Sequence, residues 1–462
     1  MSSVAGVFGA VDIGASGGRV VAGVVAGGRT TLHVVHRFPN GVVHRDGRLR
    51  WDFTGLYREV LTGLRALAAG FGEVASIGID TWAVDYGLLG ADGGLLAEPV
   101  SYRDGRTAEA VERVHARVPF EDLYAINGLQ FLPFTTLYQL EAERSSPLWE
   151  EVAHVVLLPD LLAYWLTGEL RTEVTNASTT GLLDVRTRTW SAELAAGVPL
   201  PPLQEPGEVR GVLRPEVARA TGLPRATPVT AVGSHDTASA VVALPADGSR
   251  FAYVSSGTWS LAGIELPAPV VDGRARELNF TNEGGVDGRI RFLRNVGGLW
   301  LLQESMREWP GLDPADLLAR AEALPAGGPT VDVDDPAFIP PGDMPRRIAE
   351  AATGPLAGPV ETVRCVLDSL AVAYARTVDQ AARLTGRDVD VIHVVGGGSR
   401  NDLLCRLTAT LSGRRVTAGP VEATALGNVL VQARAHGAAP ATLEDIRARL
   451  ADSEDVRHHL PE

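Results

Sequence analysis

The chain has 462 residues, more than one hydrophobic core usually serves, so two domains are expected. Its apolar content of 45% and charged content of 21% are ordinary for a globular chain, and the net charge of −14 excludes a broad nucleic-acid surface, which needs clustered positive charge. All 42 basic residues are arginine, and the lack of lysine excludes a Walker-type P-loop, the protein-kinase fold and Schiff-base chemistry.

In chain order, residues 7–13 and 18–26 read as a hairpin about the small-residue turn Ala15–Gly17, and Leu32–Phe38 as a third strand. From the candidate N-cap Asp52, the residues Phe53, Leu56, Tyr57, Val60, Leu61 and Leu64 recur at three and four, which predicts an amphipathic helix. Val74–Ile79 is expected to be a strand ending at Asp80, and Trp82–Leu89 another. The pattern then restarts. Val229–Val232 leads through Gly233-Ser234-His235-Asp236 into a helix from Thr237, and Ala252–Val254 turns at Ser255-Ser256-Gly257-Thr258 into Trp259–Ile264. Val389–Val395 runs through Gly396-Gly397-Gly398 into a helix near Asn401. Segments 265–290 and 325–360 are rich in Pro, Gly and charge and read as loops. Alternating strands and helices behind a leading hairpin predict α/β layering with mixed sheets, duplicated about a boundary near Pro245-Ala246-Asp247-Gly248.

No run approaches the roughly 18 apolar residues of a membrane span, and the N-terminus lacks a basic region followed by an apolar one. A cytoplasmic protein with no membrane partner is expected. Cys365 and Cys405 have no metal-ligand neighbours and read as buried thiols.

Asp12, Asp80 and Asp236 each end a predicted strand, and in α/β sheets that edge lines the ligand crevice. Asp12 precedes a turn whose backbone can approach an anion, which suits it to a hydrated Mg²⁺ beside phosphates. Asp236 follows His235 and opens a helix, where a carboxylate can stay ionised and act as a base. Each aspartate could instead be a helix cap or turn former, and Asp80 has no signature beyond its place.

Ser234-His235-Asp236-Thr237-Ala238-Ser239-Ala240, Ser255-Ser256-Gly257-Thr258-Trp259-Ser260, Asn282-Glu283-Gly284-Gly285 and Gly298-Leu299-Trp300-Leu301-Leu302-Gln303 resemble the FGGY carbohydrate kinases. Asp12-Ile13-Gly14-Ala15-Ser16 with Arg19, Gly78-Ile79-Asp80-Thr81-Trp82, Phe131-Leu132-Pro133-Phe134 and Ala418-Gly419-Pro420-Val421-Glu422-Ala423 resemble the branch of that family that acts on L-rhamnulose. These motifs run in family order from about residue 8 to residue 440.

The resemblance implies two ribonuclease-H-like domains of the actin and sugar-kinase type, with mixed sheets and ATP and sugar in an interdomain cleft. Residues 1–245 would form the sugar and phosphate-turn side and 246–462 the nucleotide side. The implied reaction is ATP-dependent phosphorylation of L-rhamnulose at its C1 hydroxyl, in L-rhamnose catabolism, with Mg²⁺. It implies that Ala15, Ser16, Gly17, Gly18, Arg19 and Thr258 contact ATP phosphates, while Gln303 and Gly397 help hold the nucleotide. Ala83, His235, Asp236, Thr237 and Asn295 would contact the ketose, with Asp236 the general base and Asp12 placing the metal through water. Bland readings stand beside these: Thr258 completing a turn, Gln303 a solvated helix residue, Asn295 a helix cap, Gly397 tight packing, Trp82 core rather than sugar platform. In the branch it resembles, the Trp82 motif usually continues with glycine where this sequence has Ala83, and a pocket registers one carbon at about 1–3 kcal/mol. The alternatives are another ketose, such as L-fuculose or L-xylulose, or an actin- or chaperone-like ATPase. A monomer or small homo-oligomer is expected.

Overall fold

The computed structural model describes residues 6–452 and 456–462. It opens with strands β1 (Gly6–Gly14) and β2 (Gly17–Ala26), antiparallel and closed by the Gly14–Gly17 pair, so that Ala15 and Ser16 form the turn. Strand β3 (Arg29–Pro39) pairs antiparallel with β2. The three-and-four periodicity becomes helix α1 (Phe53–Phe71), which buries Phe53, Leu56, Val60, Leu64 and Leu67. Its first turn is capped by the Asp52 carboxylate, which accepts from the Gly55 N–H. Strand β4 (Ser76–Thr81) lies parallel to β1, in a register that sets Asp80 opposite Asp12. Strands β5 (Val209–Val212) and β6 (Pro228–Thr230) complete a six-stranded sheet in the order β5-β6-β4-β1-β2-β3, and helix α2 (Asp236–Val242) follows.

The plan then repeats. Strands β7 (Phe251–Ser256) and β8 (Trp259–Leu266) form an antiparallel hairpin, and β9 (Ile290–Gly297) joins β8. After helices α3 (Trp300–Glu308) and α4 (Pro359–Thr385), strand β10 (Val391–Val395) pairs in parallel with β7, as β4 does with β1. Helix α5 (Asp402–Ser412), capped by the Asn401 side chain on the Leu404 N–H, leads to strand β11 (Arg415–Ala418). Strand β12 (Arg457–His459) closes a seven-stranded sheet that begins with the short strand Thr281–Gly284 and continues in the order β9-β8-β7-β10-β11-β12.

The chain forms two compact units. The first holds residues up to Ala243, Leu266–Arg291 and Ala423–Arg449; the second holds Leu244–Glu265, Phe292–Glu422 and the residues from Leu450 on. A single cut near residue 245 therefore differs from this division, because two later segments return to the first unit. One of them is helix α6 (Ala423–Ala435), which packs on β1, β4 and α2. Its Ala425, Val429 and Ala433 share a core with Phe8, Ala10, Val21 and Val25. Small residues make the approach close: a Cβ on Gly427 would sit 1.8 Å from the Ser239 carbonyl oxygen of α2.

Two expectations need correction. The stretch expected as a strand over Trp82–Leu89 is extended only over Tyr86–Leu89, because Trp82–Asp85 folds into a turn with Val84 at φ 67°. The segments read as loops carry short elements. The helix Gly273–Glu277 is capped by Asp272, Thr281–Gly284 is a strand, and the helix Met344–Ala351 buries Met344 and Ile348. Their apolar positions are too few to show a period against the surrounding Pro and Gly. Cys365 and Cys405 are free and buried, and burial pushes their thiols up to about 11 and about 12. No helix among the described residues is long and apolar enough to cross a membrane.

The α2–α6 contact gives a direct stability test. Gly427→Ala places a methyl into backbone, so the denaturation midpoint is expected to fall by the equivalent of about 1–3 kcal/mol. Gly70→Ala, in α1 with nothing near its Cβ position, is expected to raise the midpoint by up to about 1 kcal/mol. Urea titration of both variants reads the difference, and equal midpoints would show that the close approach is unimportant.

Candidate active site

The parallel register of β1 and β4 places Asp12 beside Asp80, and the next segment lies alongside. The Thr81 N–H donates to the Ser234 carbonyl at 2.9 Å and Thr81 bridges in parallel to His235, so Asp236 falls at the same sheet edge. Three carboxylates thus end neighbouring segments, in different surroundings. Asp12 is buried and accepts from Arg19, its cross-strand partner, with Nε at 2.9 Å and Nη2 at 2.6 Å from Oδ2. Asp80 is 0% exposed; its Oδ2 accepts from Asn428 Nδ2 at 2.6 Å. Asn428 Oδ1 in turn accepts from Gln432 Nε2 at 2.6 Å, and the same amide reaches the Gly9 carbonyl at 3.1 Å. Asp80 Oδ1 has no hydrogen-bond partner among the described residues. Burial holds the Asp80 carboxyl well above the usual range, with the Asp12 charge adding to the effect and Asn428 opposing it.

Asp236 differs from both. Its side chain is 31% exposed, at the first position of α2. Burial raises its carboxyl above the ordinary value; His235 opposes this, Asp12 adds to it, and the Thr237 hydroxyl, donating to Oδ1 at 3.1 Å, also opposes it. Of the three carboxylates, Asp236 is the most exposed. Asp80, enclosed and tied to α6, anchors that helix to the sheet.

A third buried carboxylate, Glu173, holds the turn that carries His235 and Asp236. Glu173 Oε2 accepts from the Ser234 N–H at 3.0 Å, the Ser234 hydroxyl at 2.6 Å and the Thr175 hydroxyl at 2.6 Å. Ser239 Oγ donates to the Gly233 carbonyl at 2.7 Å, pinning the turn from the other side. The His235 ring lies between charged groups: Nε2 is 3.5 Å from Asp236 Oδ1, while Nδ1 is 3.0 Å from Arg291 Nη2 and 3.3 Å from Glu283 Oε2.

Ala83, expected at the sugar, is partly exposed within the Trp82–Asp85 turn. A β-branched residue at positive φ, such as Val84, costs about 1–3 kcal/mol. Asp85 outweighs it. Its Oδ2 accepts from Trp51 Nε1 at 2.7 Å, Trp82 Nε1 at 3.0 Å and the Tyr102 N–H at 3.3 Å, and its Oδ1 from Gln139 Nε2 at 3.0 Å. Donors left unpaired in such a site would each cost about 1–3 kcal/mol. The Val84 carbonyl also accepts from Thr136 Oγ1 at 2.7 Å. Trp82 is core: it is 6% exposed and its ring lies 4.5 Å from that of Trp51.

The expected phosphate contacts divide between the units. In the first, Ser16 is exposed and Ala15 and Gly17 are partly so, whereas Gly18 is buried and a Cβ there would meet the Phe38 ring at 2.3 Å. In the second, Thr258 sits in the β7–β8 turn, where its carbonyl accepts from the Trp300 N–H at 3.2 Å. Gln303 is half-buried on α3. Asn295 lies within β9, so it does not cap α3, which follows Leu299. Gly396 has φ 80°, and Gly397 has nothing within 4 Å of its Cβ position, whereas a Cβ on Gly398 would sit 2.0 Å from Ser256 Oγ. Gly397 is thus the open member of the triple glycine, and tight packing belongs to Gly398.

Sequence reasoning missed Glu173, Asp85, Asn428, Gln432 and Arg291. Two signals were available: Asp85 interrupts an apolar run, and Asn428 and Gln432 stand four apart on a helix that is otherwise largely apolar. The residues present fit a hydrated divalent cation. Asp12 and Asp80 stand opposite each other with a single guanidinium, Arg19, on Asp12, and an Asp80 oxygen is unpartnered. No group of three or more His, Cys, Asp or Glu among the described residues is arranged to hold a metal, so coordination would run largely through water.

Residues 7–243 match the N-terminal domain of the FGGY family of carbohydrate kinases, and residues 252–436 match its C-terminal domain. The chain belongs to this family and is a carbohydrate kinase. It is 42% identical to a rhamnulokinase from Bacteroides thetaiotaomicron over 449 residues, covering 94% of this chain and 91% of that protein. It is 43% identical to a rhamnulokinase from Enterococcus faecalis over 452 residues, covering 95% and 90%. Its fold matches a gluconate kinase from Lactobacillus acidophilus with a TM-score of 0.84 at 17% identity, over 99% of this chain and 94% of that one. A xylulose kinase from the same organism gives a TM-score of 0.82 at 18% identity, over 99% and 94%.

The triple glycine separates packing from access. Gly397→Val is expected to fold normally and to raise the apparent KM for ATP, whereas Gly398→Val is expected to lose thermal stability through its clash with Ser256. Melting curves and ATP titrations distinguish the two. An unchanged KM in folded Gly397→Val would remove this turn from nucleotide binding.

Proposed function

We propose that the protein transfers the γ-phosphoryl group of ATP to the C1 hydroxyl of L-rhamnulose, giving L-rhamnulose 1-phosphate and ADP. The observation that carries the mechanism is the exposure of Asp236 beside two enclosed carboxylates. The substrate rests on the extent of the likeness to the two rhamnulokinases.

In this reading Asp236 accepts the C1 hydroxyl proton as the oxygen attacks the γ-phosphorus in line. The bond from that phosphorus to the β–γ bridging oxygen breaks, and ADP leaves. His235, Thr237, Asn295 and the turn at Ala83 orient the ketose. Ala15, Ser16, Gly17, Arg19 and Thr258 contact the phosphates, with Gly18 packed on Phe38 behind the turn, and Gln303 and Gly397 hold the rest of the nucleotide. Mg²⁺, when bound, would neutralise phosphate charge, and Asp12 would hold it through water once Arg19 turns toward the phosphates. Positioning supplies most of the rate in phosphoryl transfer. The turn anchored by Glu173 and the one anchored by Asp85 are therefore as important as the base.

Asp236→Asn keeps the side chain's size but cannot take the proton, so kcat is expected to fall by about 10²- to 10⁴-fold with both ligands still bound. Because burial raises the Asp236 carboxyl, wild-type kcat/KM should fall on acidification above the ordinary carboxylate range, near pH 4. The sign follows from the need for the ionised form: protonation removes the base. Coupled ADP release and calorimetric binding measure both effects, and a variant binding both ligands at near wild-type turnover would eliminate Asp236 as base.

The same assay with L-rhamnulose, L-fuculose and L-xylulose tests the substrate. Ala83→Gly is expected to change the ranking of ketoses while leaving the reaction intact. If L-rhamnulose is preferred by neither form, the substrate assignment fails and the carbohydrate kinase stands.

A further inference from the structure

The contact between Arg291 and His235 determines where the imidazole proton sits. A guanidinium has N–H donors and no acceptor. Arg291 Nη2 lies 3.0 Å from His235 Nδ1 in hydrogen-bonding geometry, so Nδ1 must be the acceptor, since a proton on it would face another N–H. The ring proton then sits on Nε2, the atom 3.5 Å from Asp236 Oδ1. Arg291 is itself immobile: it is 0% exposed, its Nε donates to the Gly284 carbonyl at 2.9 Å, and its Nη2 is 3.2 Å from Glu283 Oε2.

Glu283 supplies the competing arrangement. Its Oε2 is 3.3 Å from Nδ1, so without Arg291 the ring would donate Nδ1–H to Glu283 and turn a bare Nε2 toward Asp236. Two lone pairs would then oppose each other beside the reacting centre. With Arg291 present, its charge is matched by Glu283 and Nδ1 keeps its lone pair turned to the guanidinium.

We infer that Arg291 is a positioning residue for phosphoryl transfer: by donating to Nδ1 it holds His235 as the neutral Nε2–H tautomer, which aims a donor at the Asp236 carboxylate. One carboxylate oxygen is thereby oriented and the other left for the sugar hydroxyl. The positioning role rests on Asp236 being the base; the tautomer does not.

The test uses protein labelled with ¹⁵N-histidine, with His235 assigned by its loss in His235→Gln. Two-bond ¹H–¹⁵N spectra at neutral pH are expected to show an unprotonated Nδ1 and a protonated Nε2. A protonated Nδ1 in the active wild-type enzyme would overturn the inference. Arg291→Gln is expected to move His235 toward the Nδ1–H form and to lower kcat by about 10- to 100-fold, the scale of a misplaced catalytic group. In the His235→Gln background the same substitution should cost little more, because the two residues act as one unit. A folded Arg291→Gln enzyme with wild-type kcat, or full additivity of the two substitutions, would also overturn it. If Arg291→Gln does not fold, the wild-type spectrum decides. Asp236→Asn at near wild-type rate would defeat the base reading, and with it the positioning role, while leaving the tautomer to the spectrum.

Discussion

The parallel pairing of β1 with β4 is the constraint on which the rest of the site depends. It fixes Asp12 opposite Asp80, and the continuation of that alignment through Thr81 and Ser234 carries His235 and Asp236 to the same edge. Moving β4 by one residue would turn Asp80 to the other face of the sheet and break its bond with Asn428. Close packing guards the register, because a side chain at Gly78 would collide with Asn428 and Gln432 on α6. The helix that secures the first unit comes from near the end of the chain, so the edge is not complete until late sequence has returned to it.

Bringing three carboxylates to one edge creates a charge problem that is met three ways. Asp12 takes a guanidinium across its own hairpin, Asp80 is enclosed and bonded to an amide, and Asp236 keeps partial access to solvent. The differences in environment, rather than residue type, assign the roles. A chain whose every basic residue is arginine suits this arrangement, because the guanidinium is a rigid fork of donors that stays charged when buried. Arg19 uses that fork on a carboxylate, and Arg291 uses its lack of any acceptor to dictate the state of a histidine.

The features most legible in the sequence are those made by neighbours along the chain. The hairpin around Ala15, the Asp52-capped helix, the strand ends at Asp12 and Asp80 and the helix opening at Asp236 rest on local periodicity and turn chemistry, and each lies where expected within a few residues. The stretch after Asp80 was misread because its conformation is imposed from elsewhere. Trp51, Tyr102, Thr136 and Gln139 gather on Asp85 and Val84 and bend a segment whose composition favours a strand. Gly18 stands in the expected phosphate turn and Gly398 beside Gly397, yet the space at their Cβ positions belongs to Phe38 and Ser256.

By itself the sequence determined the α/β pattern, its duplication, the exclusion of lysine-dependent chemistry and the residues from which a base and phosphate turns could be drawn. These follow from composition and from spacing of a few residues, which act before any fold exists. The tertiary structure alone decided which strand-end aspartate keeps access to solvent, which glycine of Gly396–Gly398 stands open, and what holds Ala83 and His235 in place. Those answers depend on burial and on hydrogen bonds between residues up to 423 positions apart, as from Gln432 to the Gly9 carbonyl, and no local pattern encodes a partner at that distance.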